Sequence, residues 1–387
     1  MKYEQEALSF FPELARHRQA LHQIPELGNA EHKTHDYLWQ ALEALEPDEM
    51  KTMVGTGIRV LFRGNGTGRT IAFRSDMDAL PITEPDGCPF ASRHPGKMHA
   101  CGHDGHMATL LVFAHWLSRN RARLRDTVVL LFQPAEETTG GADRMVLEGA
   151  LEEPHVQAVY GMHMMPDVPL GKLATCEGPL MAQTSEIDFI IKGVASHGAS
   201  PHLGRDAVSA MGHLITLLQT TVARSVDPCQ QALITIGKVR AGEQRNILAS
   251  EARMEGIVRT FSNEVYADLE EKIRKDARGI EEAFGVQVKV EKHIYYPCVT
   301  NDKEEFERVR AALSDRFVPA RPRMIAEDFA FYQLHRPGVF FFCGCMDENH
   351  TSALHSAGFG FDERALCYGL AAYCGLTALE GDGNGHI

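Results

Sequence analysis

The order of strand-like and helix-like patterns constrains the fold of this 387-residue chain more than any other sequence feature. In the first half, short apolar or alternating runs occur at residues 58–63, 70–74, 127–132 and 158–162. Segments with helical spacing accompany them, at residues 4–23, 31–45 and 103–118. The run TVVLLF at 127–132 is almost wholly apolar, which indicates a strand buried on both faces. The alternation predicts an α/β domain whose largely parallel sheet has helices on both faces.

The pattern changes after about residue 181. Strand, helix, strand, strand, helix and strand follow one another, at residues 186–193, 206–224, 231–239, 252–260, 264–284 and 286–293. This order is typical of an α+β ferredoxin-like domain. The segments MIAEDFAFYQ and GVFFFCG then return to the style of the first domain. We therefore predict an α/β domain of residues 1–180 and 295–387, with a smaller α+β domain inserted at 181–294.

The charge balance restricts the partners of the chain. There are 52 acidic and 39 Lys and Arg residues, for a net charge of -13. Nucleic acid and anionic membranes are therefore poor candidates. No apolar stretch reaches the roughly 20 residues of a membrane span, and the N-terminal segment reads as an amphipathic helix, so we expect a cytoplasmic protein. In that compartment the nine cysteines are expected to be reduced.

One cysteine has unusual neighbours, in the segment MHACGHDGH at residues 98–106. Cys101 and His103 flank a single glycine, which permits a tight turn and lets both side chains point at one centre. A thiolate and a neutral imidazole are standard ligands of first-row metals. A polar loop with incidental histidines is the alternative interpretation.

Three further segments offer metal-type ligands. Glu136 and Glu137 follow the run at 127–132, where one carboxylate can bind metal while the other moves protons; a solvated acidic loop is the alternative. His163 ends another apolar run, and His350 and His355 lie near the C-terminus. Each signal is weak alone, but together the four segments indicate a metal site.

The sequence resembles the M20 metallopeptidase and amidohydrolase family, in the branch that holds aminoacylases, hippurate hydrolase and auxin-conjugate hydrolases. The similarity keeps the family's order over nearly the whole chain, and MHACGHD together with PAEE is very specific. The matching stretches are HQIPELG at 22–28, RSDMDALPI at 74–82, MHACGHDGHM at 98–107, LLFQPAEE at 130–137, GMH at 161–163, SHGASPH at 196–202, AEDFAFY at 326–332 and LHSAGFGFDE at 354–363.

The resemblance implies that residues 1–180 and 295–387 form a catalytic metal-binding domain and that residues 181–294 form a lid or dimerisation domain. It also implies a role for each matching residue. Two divalent metal ions, with Zn, Mn, Ni and Co as candidates, would be held by Cys101, His103, Glu137, His163 and His355, with Cys101 as the bridge. Glu136 matches the general base, and His197 matches a histidine that reaches an active site, often that of the partner subunit. Asn246 and Arg259 match residues at the substrate's carboxylate end. Arg74, Asp76 and Asp104 match positions that support the ligands. Asp76 is expected to orient a ligand histidine or the PAEE loop, and a purely structural role is the alternative.

The implied activity is hydrolysis of the amide bond of N-acyl-L-amino acids. A dedicated deacetylase acting on N-acetyldiaminopimelate or an N-acetylcysteine-type substrate is the alternative, which TSEIDFIIKG and YYPCVTND favour. Two segments depart from the family's motifs. ASHGA stands at 195–199 in place of GGHAA, and NILA stands at 246–249 in place of NVIP. These departures are expected to affect substrate preference. Two other classes stay open: a cysteine hydrolase using Cys101, and an inactive binding protein with the same fold.

We also expect a homodimer, with a tetramer as the alternative, formed through the inserted domain. The strands at 186–193 and 286–293 could each present an edge that continues the sheet into a second subunit.

Overall fold

The structure is a computed structural model that describes residues 1–381; residues 382–387, which the sequence analysis assigns to the first domain, lie outside the described part. Contacts divide the chain into two compact units. The first unit comprises Met1–Leu180, Thr300–Arg321 and the segment from Asp328 onward. The second comprises Met181–Val299 and Pro322–Glu327.

Helices and strands alternate along much of the chain. The helices are α1 (Glu4–Ser9), α2 (Phe11–His22), α3 (His32–Glu43), α4 (His103–Arg119), α5 (Ala142–Leu147), α6 (Ala207–Ser225), α7 (Asn263–Phe284), α8 (Lys303–Leu313), α9 (Ala330–Gln333) and α10 (Arg364–Leu376). The strands are β1 (Glu49–Met53), β2 (Gly57–Phe62), β3 (Thr70–Asp76), β4 (Thr127–Gln133), β5 (Ala158–Pro169), β6 (Leu173–Thr175), β7 (Gly178–Met181), β8 (Gln183–Lys192), β9 (Ala232–Ala241), β10 (Glu251–Thr260), β11 (Gln287–Tyr296), β12 (Val299–Asn301), β13 (Phe317–Pro319) and β14 (Gly338–Met346). Among the described helices, none has both the length and the apolar character that a membrane span requires.

The first unit is built on an eight-stranded sheet of order β1-β2-β4-β3-β5-β14-β6-β13. Its centre is parallel, since β3 pairs in parallel with β4 and β5, and β5 with β14. Residues 128–133 of β4 are all buried although successive side chains point to opposite faces. Both faces of the sheet are therefore covered, and the predicted α/β class with a parallel sheet is confirmed.

The helical spacing predicted over residues 4–23 is divided in the structure. A turn at Phe10 separates α1 from α2, and Pro12 lies in the first turn of α2. Proline has no backbone N–H and disfavours helical geometry in the residue before it, so it fits the start of a helix better than its interior.

The second unit is a four-stranded antiparallel sheet of order β11-β8-β10-β9. With α6 and α7 it follows the strand and helix order predicted from the sequence. Asp206 and Ser262 accept hydrogen bonds from backbone N–H groups at the starts of α6 and α7, as N-cap residues do. A shared apolar core joins both helices to the sheet, and it includes Phe189, Leu214, Met254, Leu269 and Ile273.

Two expectations about this unit need correction. Residues 295–299 and 322–327 group with it rather than with the first domain, because β11 continues to Tyr296 beside β8 and Ala182 N donates to the carbonyls of Arg323 and Ile325. The strand predicted at 186–193 does not offer an edge, because β8 lies between β11 and β10. The edges of this sheet are β11 and β9.

Candidate metal centre

Three neighbouring parallel strands bring polar residues to one end of the first sheet. β3 ends at Asp76 and β4 at Gln133, and the register pairs these two residues. On the other side of β3, Arg74 pairs with Gly161, so His163 lies level with Asp76. Sites form at the carboxyl ends of strands in open α/β sheets because these ends meet at a common edge.

The turn between Cys101 and His103 requires glycine. Gly102 has φ +89°, and a Cβ added to it would lie 3.2 Å from the Cβ of Met164. This left-handed residue ends the preceding loop, and α4 begins at His103. Both flanking side chains are buried at the same end of the sheet, as the sequence predicts for this turn.

Two groups of three ligand atoms share one thiol. The first group is Cys101, His103 and His163, and the second is Cys101, Glu137 and His355; within each group the atoms lie within 4.8 Å of one another. Cys101 Sγ is 3.3 Å from Nε2 of His163 and 3.3 Å from Nε2 of His355. The five residues that the sequence nominates as ligands are thus brought together around Cys101.

Hydrogen bonds position two of the candidate ligand histidines. Nδ1 of His163 lies 2.7 Å from the carbonyl oxygen of Met164, which only accepts, so Nδ1 carries the proton and the Nε2 lone pair faces Cys101. His355 has φ +60°, and its backbone N–H donates to the carbonyl of Ala100, next to Cys101. Its Nε2 lies 3.0 Å from Oε1 of Glu137. His350 stays outside the cluster and pairs with Asp347.

His103 is the buried ligand with the clearest need for a partner. Nε2 lies 3.7 Å from Asp76 Oδ2 and 3.8 Å from Glu137 Oε1, and Nδ1 lies 3.4 Å from Asp78 Oδ1. None of these contacts has hydrogen-bond geometry, and among the described residues neither ring nitrogen has a hydrogen-bond partner. Buried polar atoms are ordinarily satisfied. A metal ion would give one of these two nitrogens a partner, so the donor set fits a metal ion.

The surrounding charges favour cations at the same positions. Burial and the carboxylates of Glu137 and Glu136 raise the pKa of the Cys101 thiol well above its ordinary value. Burial lowers the pKa of His103, but the negative charges of Asp76 and Asp78 outweigh burial and raise this pKa to about 10. Protons therefore occupy Cys101 and His103, and a divalent cation would displace them.

Asp78 holds the two glutamates in place, a role that the sequence analysis missed. Its Oδ1 accepts from the backbone N–H of Glu136 at 3.0 Å, and its Oδ2 from that of Glu137 at 2.9 Å. Asp78 is buried, and Ala135 before the glutamates has φ +61°. The PAEE loop is thus oriented by Asp78 rather than by Asp76. The only sequence signal was its place in RSDMDALPI, two residues beyond Asp76.

The other supporting residues form two separate networks. Asp76 accepts from Nδ1 of His106 at 2.7 Å and from Arg74 at 2.9 Å, while Nε2 of His106 accepts from Met164 N. His106 thereby links α4 to β3 and β5. No sequence pattern indicated this linking role. Asp104 accepts from Arg18 and from His22, and its described hydrogen bonds reach α2 rather than the ligands.

The remaining nominated residues lie in the second unit. The backbone pairs His197 with Ile247, and Gly198 N donates to Asn246 O at 2.8 Å, so the loops of His197 and Asn246 are neighbours. Both side chains are exposed. Arg259 lies in β10 opposite Leu233 and Thr184, and burial lowers the pKa of its guanidinium.

Known proteins resemble the chain over almost its whole length. The model of peptidase family M20/M25/M40 matches residues 72–378. N-acetyldiaminopimelate deacetylase of Listeria monocytogenes serotype 4a is 38% identical, with 91% of this chain and 95% of the relative covered. The deacetylase of the same name from Halalkalibacterium halodurans is also 38% identical, with 93% and 97% covered.

Solved structures agree with this assignment. A dinuclear metal-binding peptidase of the M20 family from Bacillus subtilis is 35% identical, with a TM-score of 0.82 and 95% and 97% of the two chains covered. A chain from methicillin-resistant Staphylococcus aureus is 34% identical, with a TM-score of 0.90 and 96% and 97% covered. The predicted resemblance is confirmed: the chain belongs to peptidase family M20/M25/M40, as a metal-dependent amidohydrolase.

Proposed function

We propose that the chain hydrolyses the amide bond of N-acylated amino acids, releasing a carboxylate and the free amino acid. The observation that carries this proposal is the pair of ligand groups that share Cys101, with the carboxylate of Glu136 beside them. Two divalent ions fit two such groups. The relatives named N-acetyldiaminopimelate deacetylase favour an N-acetylated diamino acid as the substrate, with other N-acyl amino acids as the broader class.

The donors suit several first-row ions. Thiolate and imidazole favour zinc, while manganese, nickel and cobalt are compatible with the same set. Cys101, His103 and His163 would hold one ion, and Cys101, Glu137 and His355 the other. Bound ions of this type would supply Lewis acidity toward the amide carbonyl and lower the pKa of water.

The two glutamates divide the work between them. Oε1 of Glu137 lies 3.0 Å from Nε2 of His355, and Glu137 belongs to the group of Cys101 and His355, whereas Glu136 forms a further group with His103 and Glu137. Glu136 would take a proton from the attacking water and return it to the departing amine nitrogen. This task needs a carboxylate close to the reaction but not occupied as a ligand.

A hydrogen bond at His197 selects the tautomer that an oxyanion donor needs. Its Nδ1 accepts from the backbone N–H of Ala199 at 3.1 Å, so a neutral ring carries its proton on Nε2. An exposed N–H of this kind could stabilise the negative oxygen of the tetrahedral intermediate. A capping role in the turn is the structural alternative for His197.

Arg259 is a suitable partner for the substrate's free carboxylate. Its side chain is half-buried, and Nη1 has no hydrogen-bond partner among the described residues. A carboxylate could satisfy this group in a charge-assisted hydrogen bond. Asn246, on the loop beside His197, would contribute to the same end of the substrate.

The alternatives from other classes are less well supported. Cys101 contacts His163 as the thiol of a cysteine hydrolase contacts its base, but burial and two glutamates disfavour its thiolate unless a cation is bound. A non-catalytic binding protein would not need Glu136 together with a full ligand set. A cytoplasmic location and the absence of nucleic-acid and membrane partners stay predictions.

We further propose a homodimer formed by the second unit, with a tetramer as the alternative. Its sheet has two edges, β11 and β9, and β9 is mostly exposed over its second half. An unpaired edge can continue a sheet into a second copy of the chain.

Glu136→Gln is expected to bind metal normally and to lose hydrolysis by about 10²–10⁴-fold, because the amide cannot move protons. Metal analysis and an assay on N-acetyldiaminopimelate and a panel of N-acetyl and N-benzoyl amino acids would measure both effects. Glu137→Gln is the matched control, and it should lose metal. Loss of metal from Glu136→Gln instead would reverse the roles of the two residues.

Cys101→Ser is expected to reduce the metal content, because an alcohol is a far poorer bridging ligand than a thiolate. Elemental analysis and activity before and after chelation would be measured. Cys343→Ser, at a buried position in β14, is the control and should retain metal. Full occupancy and normal activity in Cys101→Ser would remove the thiol from the ligands, and activity that survives chelation in the wild type would favour a cysteine hydrolase.

Asp78→Asn is expected to lower metal affinity or activity about 10–100-fold, because the amide places a donor against one of two backbone N–H groups. Asp126→Asn is a matched control, since Asp126 is also buried and accepts from the backbone of Arg69 and Ala378. Equal losses of thermal stability are expected in both variants. If both also lost metal affinity equally, Asp78 would have only a structural role.

Mixing inactive His197→Ala and Glu136→Gln proteins tests whether sites are shared. If His197 acts on its partner's site, one site in each mixed dimer combines an intact Glu136 with an intact His197, and activity returns after subunit exchange. Mixing His197→Ala with a double variant of both residues is the control and should stay inactive. Absence of recovery despite verified exchange would place His197 in its own subunit's site or outside catalysis.

A further inference from the structure

A second cluster of metal-type side chains lies in the first unit and shares no residue with the candidate metal centre. It consists of His22, the last residue of α2, with Glu84 and Cys88 from the loop that follows β3. One nitrogen, one carboxylate oxygen and the sulfur lie within 4.8 Å of one another. The three residues line a cavity of about 230 Å³, together with Arg18, Phe90 and His350.

The ring of His22 is oriented as in many metal sites. Its Nδ1 is 2.8 Å from Oδ2 of the buried Asp104, and His22 as a residue is 2% exposed. Asp104 also accepts from Nε of Arg18 at 3.1 Å, which fixes the carboxylate. A carboxylate behind Nδ1 is the usual partner of a metal-bound histidine, because it sets the tautomer and the ring angle and directs Nε2 to the ion.

The other two donors complete a suitable set. Oε1 of Glu84 is 3.1 Å from Nε2 of His22, while Oε2 accepts from the backbone N–H of Ser92 at 2.6 Å. Tetrahedral zinc with ligand distances of about 2.0–2.3 Å separates its donors by about 3.6 Å. The pair of Glu84 Oε1 and His22 Nε2 would have to open slightly to reach this spacing, and the Cys88 sulfur lies within 4.8 Å of both. Glu84 and a Cys88 thiolate would also offset the two positive charges of a divalent ion.

We propose that His22, Glu84 and Cys88 form a separate binding site for one thiophilic divalent cation of the zinc type. The ion would displace the proton shared by His22 and Glu84, and the proton of the Cys88 thiol. The cavity has room for a water as fourth ligand, since a water needs about 30 Å³. A purely structural network is the alternative, in which His22 pairs with Asp104 and Glu84 and the Cys88 thiol hydrogen-bonds to Glu84.

Zinc binding to the purified full-length chain tests the proposal. Wild type, Cys88→Ala and Glu84→Gln are loaded with zinc under reducing conditions, dialysed and analysed for ions per chain. Both variants should hold one ion fewer than wild type. Cys229→Ser, which removes an exposed thiol in the second unit, should hold as many as wild type. Because the difference of one ion is measured, the result does not depend on the occupancy of the candidate metal centre.

Cadmium provides a second readout. Each Cys88–cadmium bond gives a thiolate-to-metal absorption band in the ultraviolet, so Cys88→Ala should lose part of the band, and the part that remains should belong to Cys101. Equal ion content and equal absorption in wild type and Cys88→Ala would overturn the proposal. An equal loss of ions in Cys229→Ser would also overturn it, because the loss would then not be specific to this cluster. Either failure would leave the amidohydrolase proposal intact.

Discussion

A buried arginine holds the floor of the candidate metal centre together. The guanidinium of Arg74 donates to Gln133 at 2.8 Å, to Asp76 at 2.9 Å and to Asp328 at 2.7 Å. The side chains of Arg74, Asp76 and Asp328 are fully buried. Removing one partner of such a pair typically costs about 3–5 kcal/mol, because an uncompensated charge stays in a medium that solvates it poorly. The ends of β3 and β4 are therefore fixed relative to the segment around Asp328.

Asp328 extends this order to the loop after β4. Its Oδ2 accepts from Gln133 and from the backbone N–H groups of Gly141 and Ala142, where α5 begins. A side chain at Gly141 would meet the carbonyl of Pro134 at 1.9 Å. The loop that carries PAEE is consequently held by Asp328 at both of its ends and by Asp78 at its glutamates, so the carboxylates project from a loop with little freedom. Such preorganisation is what a site needs if charge is to develop in one defined place.

The sequence predicted the local parts of this arrangement better than the long-range ones. Apolar runs located β3, β4 and β5 because burial on both faces leaves a clear signal, and the glycine between Cys101 and His103 revealed the turn. The interaction of Asp78 with the loop spans 58 residues and leaves no local pattern. The same limit explains why β8 was wrongly predicted to offer an edge. Alternation along a strand shows which face is buried, but not whether the strand lies inside the sheet or at its edge. His106 was missed because histidines near a ligand motif look alike until their hydrogen bonds are known.

Two adjacent, chemically identical glutamates lie in different surroundings, and the proposed difference in their roles rests on this. Asp78 accepts from both backbone N–H groups, so the two residues share one anchor and differ only in where their side chains lead. Burial raises the pKa of Glu137, but the hydrogen bond to His355 and the charge of His103 outweigh this effect and lower it, so Glu137 stays ionised and close to two histidines. His355 reaches this position through a left-handed backbone and a hydrogen bond to Ala100. The loop of His355 therefore brings an imidazole to Glu137 and not to its neighbour, and this asymmetry supports the proposed division of roles, with Glu137 as a ligand and Glu136 as the general base.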